Sequence, residues 1–429
     1  MPAQIENLSA LEILDSRGNP TLEVEVALAD GTRARAQVPS GASTGRHEAR
    51  ELRDGSGGAY GGKSVRRAAA HVEGEITSAL RGCSVEDQRA LDLRLCELDG
   101  TENKARLGAN ALLGVSAACA RAAASASGRP LWESLAGDRR AVVPVPMVNV
   151  LSGGLHAGGQ LDFQDFLAVP HGFETFAESL EAVVAVHRAA QELILAEGYT
   201  LTGVADEGGL GPRLESNEQA LDLLLRAVEH EGLRPGEQVS IALDVAASHF
   251  FEDGSYRLRS EQRRLSPEEL IDLLDGWARR YPILSIEDGL AEDDWDGWRA
   301  LTERLGQRCR LIGDDLFCTN PKRLQRGIET RAANAVLVKM NQIGTLTETF
   351  EVIDRAREAG FGAVVSARSG ETEDDFLADL AVASGCGQIK VGSITRSERL
   401  AKYNRLLWIE RLGGPAPFAE ARNALVPGS

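Results

Sequence analysis

The sequence lacks any apolar run long enough to span a bilayer, which requires roughly 18 to 20 residues. Its most apolar stretch, residues 110–128, is rich in alanine and interrupted by Arg121, which favours a buried helix. The first residues also lack the basic segment and hydrophobic core of a secretory signal. These absences argue against a membrane protein and predict a cytoplasmic one.

The cysteines show no CxxC pair and no regular spacing, which argues against a zinc cluster or a disulfide framework. We therefore expect buried, reduced thiols. The six positions are Cys83, Cys96, Cys119, Cys309, Cys318 and Cys386.

Positive charge is in deficit, with 47 Lys and Arg against 64 Asp and Glu and a net charge of −17. Such a surface repels nucleic-acid backbones and anionic lipid, so neither nucleic acid nor membrane is an expected partner. A phosphorylated substrate would need a local positive site or a bound metal.

Two domains are expected from the length of 429 residues. Short β-prone runs open the chain, separated by turns at Asn19-Pro20 and Asp30-Gly31, and helical spacing follows from about Gly62 to Gly128. This pattern predicts an α+β unit at residues 1–137 and a second domain at residues 138–429.

The second domain contains apolar runs that end in a charged residue and alternate with amphipathic helices, such as residues 266–281 and 345–360. Intervals of 22 to 43 residues between the ends suit βα units of a barrel. Because strand ends of such a barrel meet at one mouth, the end residues should share a site. They are Asp244, Glu287, Asp314, Lys339, Arg368 and Lys390.

Three of these end residues are acids, Asp244, Glu287 and Asp314. Burying three carboxylates together without a cation is prohibitively costly. Ligation by oxygen alone, with no Cys or His nearby, suits Mg²⁺. The runs therefore predict a magnesium site.

Lys339 ends a run that should be buried, where desolvation and neighbouring cations would lower its pKa and allow it to act as a base. An ion-paired structural lysine is the alternative. Glu207, in the Gly-rich turn VADEGGLGP, is a candidate proton donor if burial raises its pKa, and an ordinary exposed turn is the alternative there.

Two further segments are suited to anions. Arg368 and Ser369 pair a fork-shaped cation with a hydroxyl beside a glycine, which suits phosphate oxygens. Residues 39–45 form a small, hydroxyl-rich loop able to close over an anion and a metal.

Segments along nearly the whole chain resemble the enolase family in the family's order. They include EILDSRGNPTLEVEV, VPSGASTG, LGANALLGVS, SIEDGLAEDDWDGW, GDDLFCTNP, VKMNQIGTLTET, SARSGETED and RSERLAKYNRLL. The resemblance implies an α/β fold, an enolase-type modified (β/α)8 barrel with an N-terminal α+β capping domain. It also implies a hydro-lyase with two Mg²⁺ per site that acts on a phosphorylated hydroxy acid, assembled as a homodimer or homo-octamer.

The resemblance also implies individual roles. Asp244, Glu287 and Asp314 would hold the first Mg²⁺ and Ser43 would help to hold the second. Lys339 would take the C2 proton, and Glu207 would protonate the departing C3 hydroxyl with the catalytic carboxylate of Asp165 nearby. The substrate-binding residues would be His156, Gln164, Ala367, Arg368, Ser369 and Lys390.

Departures from the family pattern cluster near the substrate. Ala367 replaces a histidine, Asp165 replaces a glutamate, Ser152 replaces the asparagine of an NGG loop, and His249 replaces the glutamate of ASEF. Because the metal ligands and the base remain, we expect a retained reaction on an altered substrate.

The altered pocket predicts a paralogue that converts 2-phosphonoformylglycerate to carboxyphosphonoenolpyruvate in phosphinothricin-type antibiotic biosynthesis. The alternatives are ordinary glycolytic dehydration of 2-phosphoglycerate, a non-catalytic scaffold, and a lyase or racemase for unphosphorylated acids. The retained Lys339 and Arg368-Ser369 argue against the last two.

Overall fold

The amino-terminal unit begins with a three-stranded antiparallel meander. The structure is a computed structural model, and it describes residues 3–41, 45–55, 57–201, 203–422 and 425. The strands are β1 (Ile5–Leu14), β2 (Pro20–Leu28) and β3 (Arg33–Gln37), paired in the order β1-β2-β3. Burial alternates along the second half of β2, so one face of the sheet packs on the core. These strands are the β-prone runs predicted at the start of the chain; the turn at Asp30-Gly31 is present, whereas the first turn lies at residues 16–18, just before Asn19-Pro20.

The helices of this unit pack on the sheet or on one another. They are α1 (Arg66–His71), α2 (Thr77–Leu80), α3 (Gln88–Asp99), α4 (Ala109–Ser127) and α5 (Leu131–Ala136), with a 3-10 turn at Ala59–Gly62 and a π turn at Val72–Ile76. The alanine-rich α4 is the predicted buried helix, and it packs on β2 and β3. The small side chains of α4 permit this close approach. Among the described residues no helix is long and apolar enough to cross a membrane.

The rest of the chain supplies the remaining strands and helices. The strands are β4 (Val145–Ser152), β5 (Asp165–Pro170), β6 (Val239–Asp244), β7 (Phe251–Glu252), β8 (Ser255–Leu258), β9 (Arg263–Leu265), β10 (Ile283–Glu287), β11 (Arg310–Gly313), β12 (Ala335–Val338), β13 (Gly362–Ser366) and β14 (Gln388–Gly392). The helices are α6 (Phe176–Ala196), α7 (Asn217–His230), α8 (Pro267–Arg280), α9 (Trp295–Leu305), α10 (Pro321–Thr330), α11 (Met340–Ile343), α12 (Leu346–Glu358), α13 (Phe376–Ser384), α14 (Ser397–Leu412) and α15 (Phe418–Ala421). Short 3-10 turns lie at Gly154–Ala157 and Ala247–Phe250.

Eight of these strands close a barrel in the order β10-β11-β12-β13-β14-β4-β5-β6, while β7, β8 and β9 form a small separate sheet. The α/β fold class is confirmed, as are all six predicted strand runs and the helices predicted at residues 266–281 and 345–360. Capping boxes begin α6 and α8, where Thr175 and Ser266 each accept from a backbone N–H in the first turn.

One barrel strand runs against the others. The β5 strand is antiparallel to both β4 and β6, whereas the other neighbouring pairs are parallel. A reversed strand begins at the mouth where its neighbours end, so Asp165, the first residue of β5, lies opposite Asp244, the last residue of β6. The residue runs themselves did not reveal β4, β5 or this reversal.

The two units meet beside the barrel mouth. Ser40 and Gly370 exchange backbone hydrogen bonds of 2.7 and 2.9 Å, and Arg121 on α4 forms two contacts of 2.7–2.8 Å with Asp374. The helix α5 ends at Ala136 and the barrel begins at Val145, while the domain boundary at residues 137 and 138 stays a prediction.

Candidate active site

Three carboxylates and a lysine form the centre of the barrel mouth. Asp244 and Glu287 are register partners at the ends of β6 and β10, and Asp314 follows the end of β11. Lys390 Nζ lies 2.7 Å from both Asp244 Oδ2 and Glu287 Oε2. The structure thus brings these four predicted residues together.

Negative charge exceeds what the nearby cations neutralise. Burial and the neighbouring Asp244 raise the pKa of Glu287 well above its usual range. Burial and Asp314 likewise raise the pKa of Asp315 to about 7. A hard divalent cation bound among these carboxylates would offset the energetic cost of their buried negative charge, so the donor set fits Mg²⁺.

Lys339 lies just after β12, partly buried and ion-paired with Asp314 Oδ2. Burial alone would lower the pKa of Lys339, but the Asp314 carboxylate outweighs it and holds the pKa above its ordinary value. The predicted fall in pKa is therefore absent, and the ion pair foreseen as the alternative is present. A base role requires another cation to neutralise Asp314.

Glu207, His156 and Asp165 form a second group in the mouth. His156 Nδ1 lies 3.0 Å from Asp165 Oδ2, and His156 Nε2 lies 4.0 Å from Glu207 Oε1. Against the effect of burial, these two carboxylates raise the pKa of His156 to about 9. Glu207 is buried, so its turn is not an ordinary exposed one.

The proton-donor prediction for Glu207 assumed a raised pKa. Burial would indeed raise the pKa of Glu207, yet the positive charges of His156 and Arg399 outweigh it and hold the pKa below its ordinary value. The short distance to His156, unseen in the sequence, is the physical reason for the difference.

The phosphate-binding candidates follow β13. The Arg368 guanidinium lies 3.1 Å from Glu48 Oε2 and donates to Asn341 Oδ1 at 2.9 Å. Ser369 and Ala367 line the same pocket, and Gln164 donates to Asp244 Oδ2 at 3.2 Å. Ser43 lies outside the described residues.

Two family models match the chain. The one described as "Enolase, N-terminal domain" covers residues 5–135, and "Enolase, C-terminal TIM barrel domain" covers residues 140–425. The chain belongs to the enolase family. It is also 58% identical over 416 residues to a curated protein named Enolase from Rubrobacter xylanophilus, across 97% of this chain and 96% of that protein.

Membership of the enolase family confirms the prediction of a hydro-lyase. It does not support the finer prediction of a phosphonate-using paralogue in antibiotic biosynthesis. A relative named simply Enolase at 58% identity favours the ordinary glycolytic alternative over the paralogue that the pocket departures predict.

The sequence patterns did not predict several charged residues of this enolase-family site. Asp288 accepts from the backbone N–H groups of Asp314 and Asp315 at 3.0 and 2.8 Å, and so braces the loop that carries a candidate ligand. The acidic doublets at these positions were an available signal. No sequence signal pointed to Glu48, because it contacts Arg368 from the other domain, 320 residues away in the chain.

Proposed function

We propose that the protein catalyses the reversible dehydration of 2-phosphoglycerate to phosphoenolpyruvate. The observation that carries this proposal is the convergence of Lys339, Glu207, Lys390 and Arg368 on one pocket lined by carboxylates. The 58% identity to a protein named Enolase supports the same choice of substrate.

Each side chain has a definite task in this reaction. Lys339 accepts the proton from C2. Glu207, protonated against the lowering effect of His156 on its pKa, gives a proton to the C3 hydroxyl, which leaves as water while the C2–C3 double bond forms. Lys390 pairs with the substrate carboxylate, and Arg368 with Ser369 binds the phosphate. Gln164 and His156 complete the pocket wall, and Ala367 leaves space beside the phosphate.

Asp244, Glu287 and Asp314 would hold Mg²⁺, and Ser43 is proposed for a second ion. Bound Mg²⁺ would supply positive charge to offset the negative charge that builds on the substrate carboxylate when the C2 proton leaves. Ligation of a cation by Asp314 would weaken the ion pair that now holds Lys339. We place the reaction in the cytoplasm.

The direct test incubates purified protein and Mg²⁺ with 2-phosphoglycerate and, separately, with its phosphonoformyl analogue, with Lys339→Ala as the blank. We expect turnover of 2-phosphoglycerate, followed by absorbance of the enol product and by phosphorus NMR, and loss of at least about a thousandfold in the blank. Preferential turnover of the analogue would overturn the proposed substrate. No turnover of either compound would overturn the proposed function.

We further propose that a second copy of this chain covers the exposed edge of the amino-terminal sheet. Strand β1 is an edge strand among the described residues and exposes Leu11 and Leu14. Large apolar side chains on such surfaces are typical of subunit interfaces. Light scattering at micromolar concentration should give a dimer or larger assembly that Leu11→Lys weakens, and a monomer would refute this.

A further inference from the structure

The Asp165 carboxylate is fully enclosed by hydrogen-bond donors. Its Oδ1 accepts from Asn149 Nδ2 at 2.5 Å and from Ser152 Oγ at 2.8 Å, and its Oδ2 lies 3.0 Å from His156 Nδ1. Asp165 is 0% exposed. Both oxygens are therefore committed to protein partners.

The strands β4 and β5 build this arrangement. Ser152 and Asp165 are register partners across the antiparallel pair, so their side chains meet on one face. Ser152 is also confined by Gly209, where an added Cβ would lie only 2.5 Å from Ser152 Oγ. The serine hydroxyl thus has little freedom to leave the carboxylate.

His156 stands between Asp165 and the pocket. Among the described residues that line the cavity are His156 and Glu207, whereas Asp165 lies behind the imidazole. The Nδ1 atom of His156 faces Asp165, and the Nε2 atom of the same ring therefore faces Glu207. A carboxylate behind an imidazole fixes the orientation of the ring and the nitrogen that carries the proton.

We propose that Asp165 is a positioning residue, held by Ser152 and Asn149, which orients His156 so that His156 is the group facing the substrate beside Glu207. This differs from the catalytic role that the family resemblance implies for Asp165. The proposal deepens the proposed function and rests on it for its kinetic test, but not for its spectroscopic test.

The spectroscopic test needs no substrate. The ring ¹⁵N signals of His156, assigned by their loss in His156→Gln, should shift in both Ser152→Ala and Asp165→Asn. Ser285→Ala is the matched control, because Ser285 is also fully buried in the barrel but its hydroxyl has no hydrogen-bond partner among the described residues. Unchanged His156 signals in Asp165→Asn, or equal effects of the two serine variants, would overturn the proposal.

The kinetic test asks whether Asp165 acts through His156. Asp165→Asn should lower kcat/KM for 2-phosphoglycerate about a hundredfold, and Ser152→Ala about tenfold, as expected for losing a hydrogen bond to a charged group. In a His156→Gln background each should cost less than about threefold, because residues that act as a unit are not additive.

The outcomes separate the two proposals. Multiplicative losses in the double variants would mean that Asp165 contacts the substrate itself, which overturns the positioning role while the function stands. No turnover by the unmodified protein would overturn the function, and the His156 signals would still decide the positioning role.

Discussion

Individual side chains in the mouth take their protonation behaviour from neighbours, not from residue type. Asp314 holds the Lys339 pKa up, and His156 holds the Glu207 pKa down, although burial acts in the opposite direction on both groups. Identical residues on the surface would titrate normally. The reactive state of this site is thus set by pairs that substrate and metal would rearrange.

Glu207→Gln should separate the two halves of the reaction. Dehydration should fall by roughly a hundredfold or more because the C3 hydroxyl loses its proton donor, while exchange of the C2 hydrogen with deuterated solvent should stay within about tenfold because Lys339 remains. NMR of 2-phosphoglycerate in deuterated buffer measures both rates. Asp206→Asn, the half-buried neighbour, is the control, and an equal fall of both rates would contradict these separate roles.

We expect His187 on α6 to contribute to the loss of folding stability at low pH. Burial and the nearby Arg188 hold the pKa of His187 below its usual value, and its Nε2 has no partner among the described residues. The unfolded chain therefore binds a proton near pH 6.5 that the folded chain resists, so stability falls as the pH drops below about 6.5.

The measurement is the free energy of unfolding in urea at pH 7.5 and at pH 5.5. His187→Gln should lose less stability between these pH values than the unmodified protein, whereas His230→Gln, at an exposed position, should behave like the unmodified protein. An unchanged pH dependence in His187→Gln would show that other groups account for the acid sensitivity.

Elements of this protein are positioned by close contacts as much as by their own periodicity. Gly114 lets α4 approach the meander, because an added Cβ there would lie 2.6 Å from Val24 Cγ2 and 3.3 Å from Val38 Cγ2. Gly276, inside α8, would meet no atom within 4 Å. One substitution at these two glycines should therefore have opposite effects.

Gly114→Ala should lower the free energy of unfolding by about 1–3 kcal/mol because it overpacks the contact between α4 and β2. Gly276→Ala should raise it by about 0.5–1 kcal/mol because alanine restricts the unfolded chain and favours the helix. Denaturant unfolding of both variants is the measurement. Equal shifts in the same direction would show that local helix propensity, and not packing, decides stability here.

The whole molecule depends on the joint between the capping domain and the barrel. The joint stands next to the mouth, since Ser40 pairs with Gly370 two residues beyond Arg368, and Glu48 of the capping domain contacts Arg368 itself. A complete site therefore requires both domains in their observed relation.

Arg121→Ala should weaken that joint. The variant loses a bidentate contact to Asp374 and a second contact of 2.7 Å to Asp375, and we expect a loss of about 1–3 kcal/mol with kcat within about twofold. Calorimetry and steady-state kinetics measure the two quantities. Arg89→Ala, which removes an exposed pair with Glu351, is the control, and an equal loss there would contradict a special role for Arg121.

The candidate site was foreseen to the extent that it lies at strand ends. Asp244, Glu287 and Lys390 needed only apolar runs that end in charge, and the barrel brings them within 2.7 Å contacts. The β4 and β5 strands, together with Asn149, were missed because neither run ends in charge: β4 ends in Ser152, and β5 carries its charged residue, Asp165, at its start.

The sequence by itself determined the meander, the buried α4, the βα alternation and the acids at strand ends, because periodicity and turn residues are properties of neighbours in the chain. Only the tertiary structure decided the reversal of β5, the pairing of Lys339 with Asp314, and the enclosure of Asp165 by Ser152 and Asn149. Those features depend on contacts between segments that are remote in sequence, and electrostatic energies depend steeply on such distances and on burial.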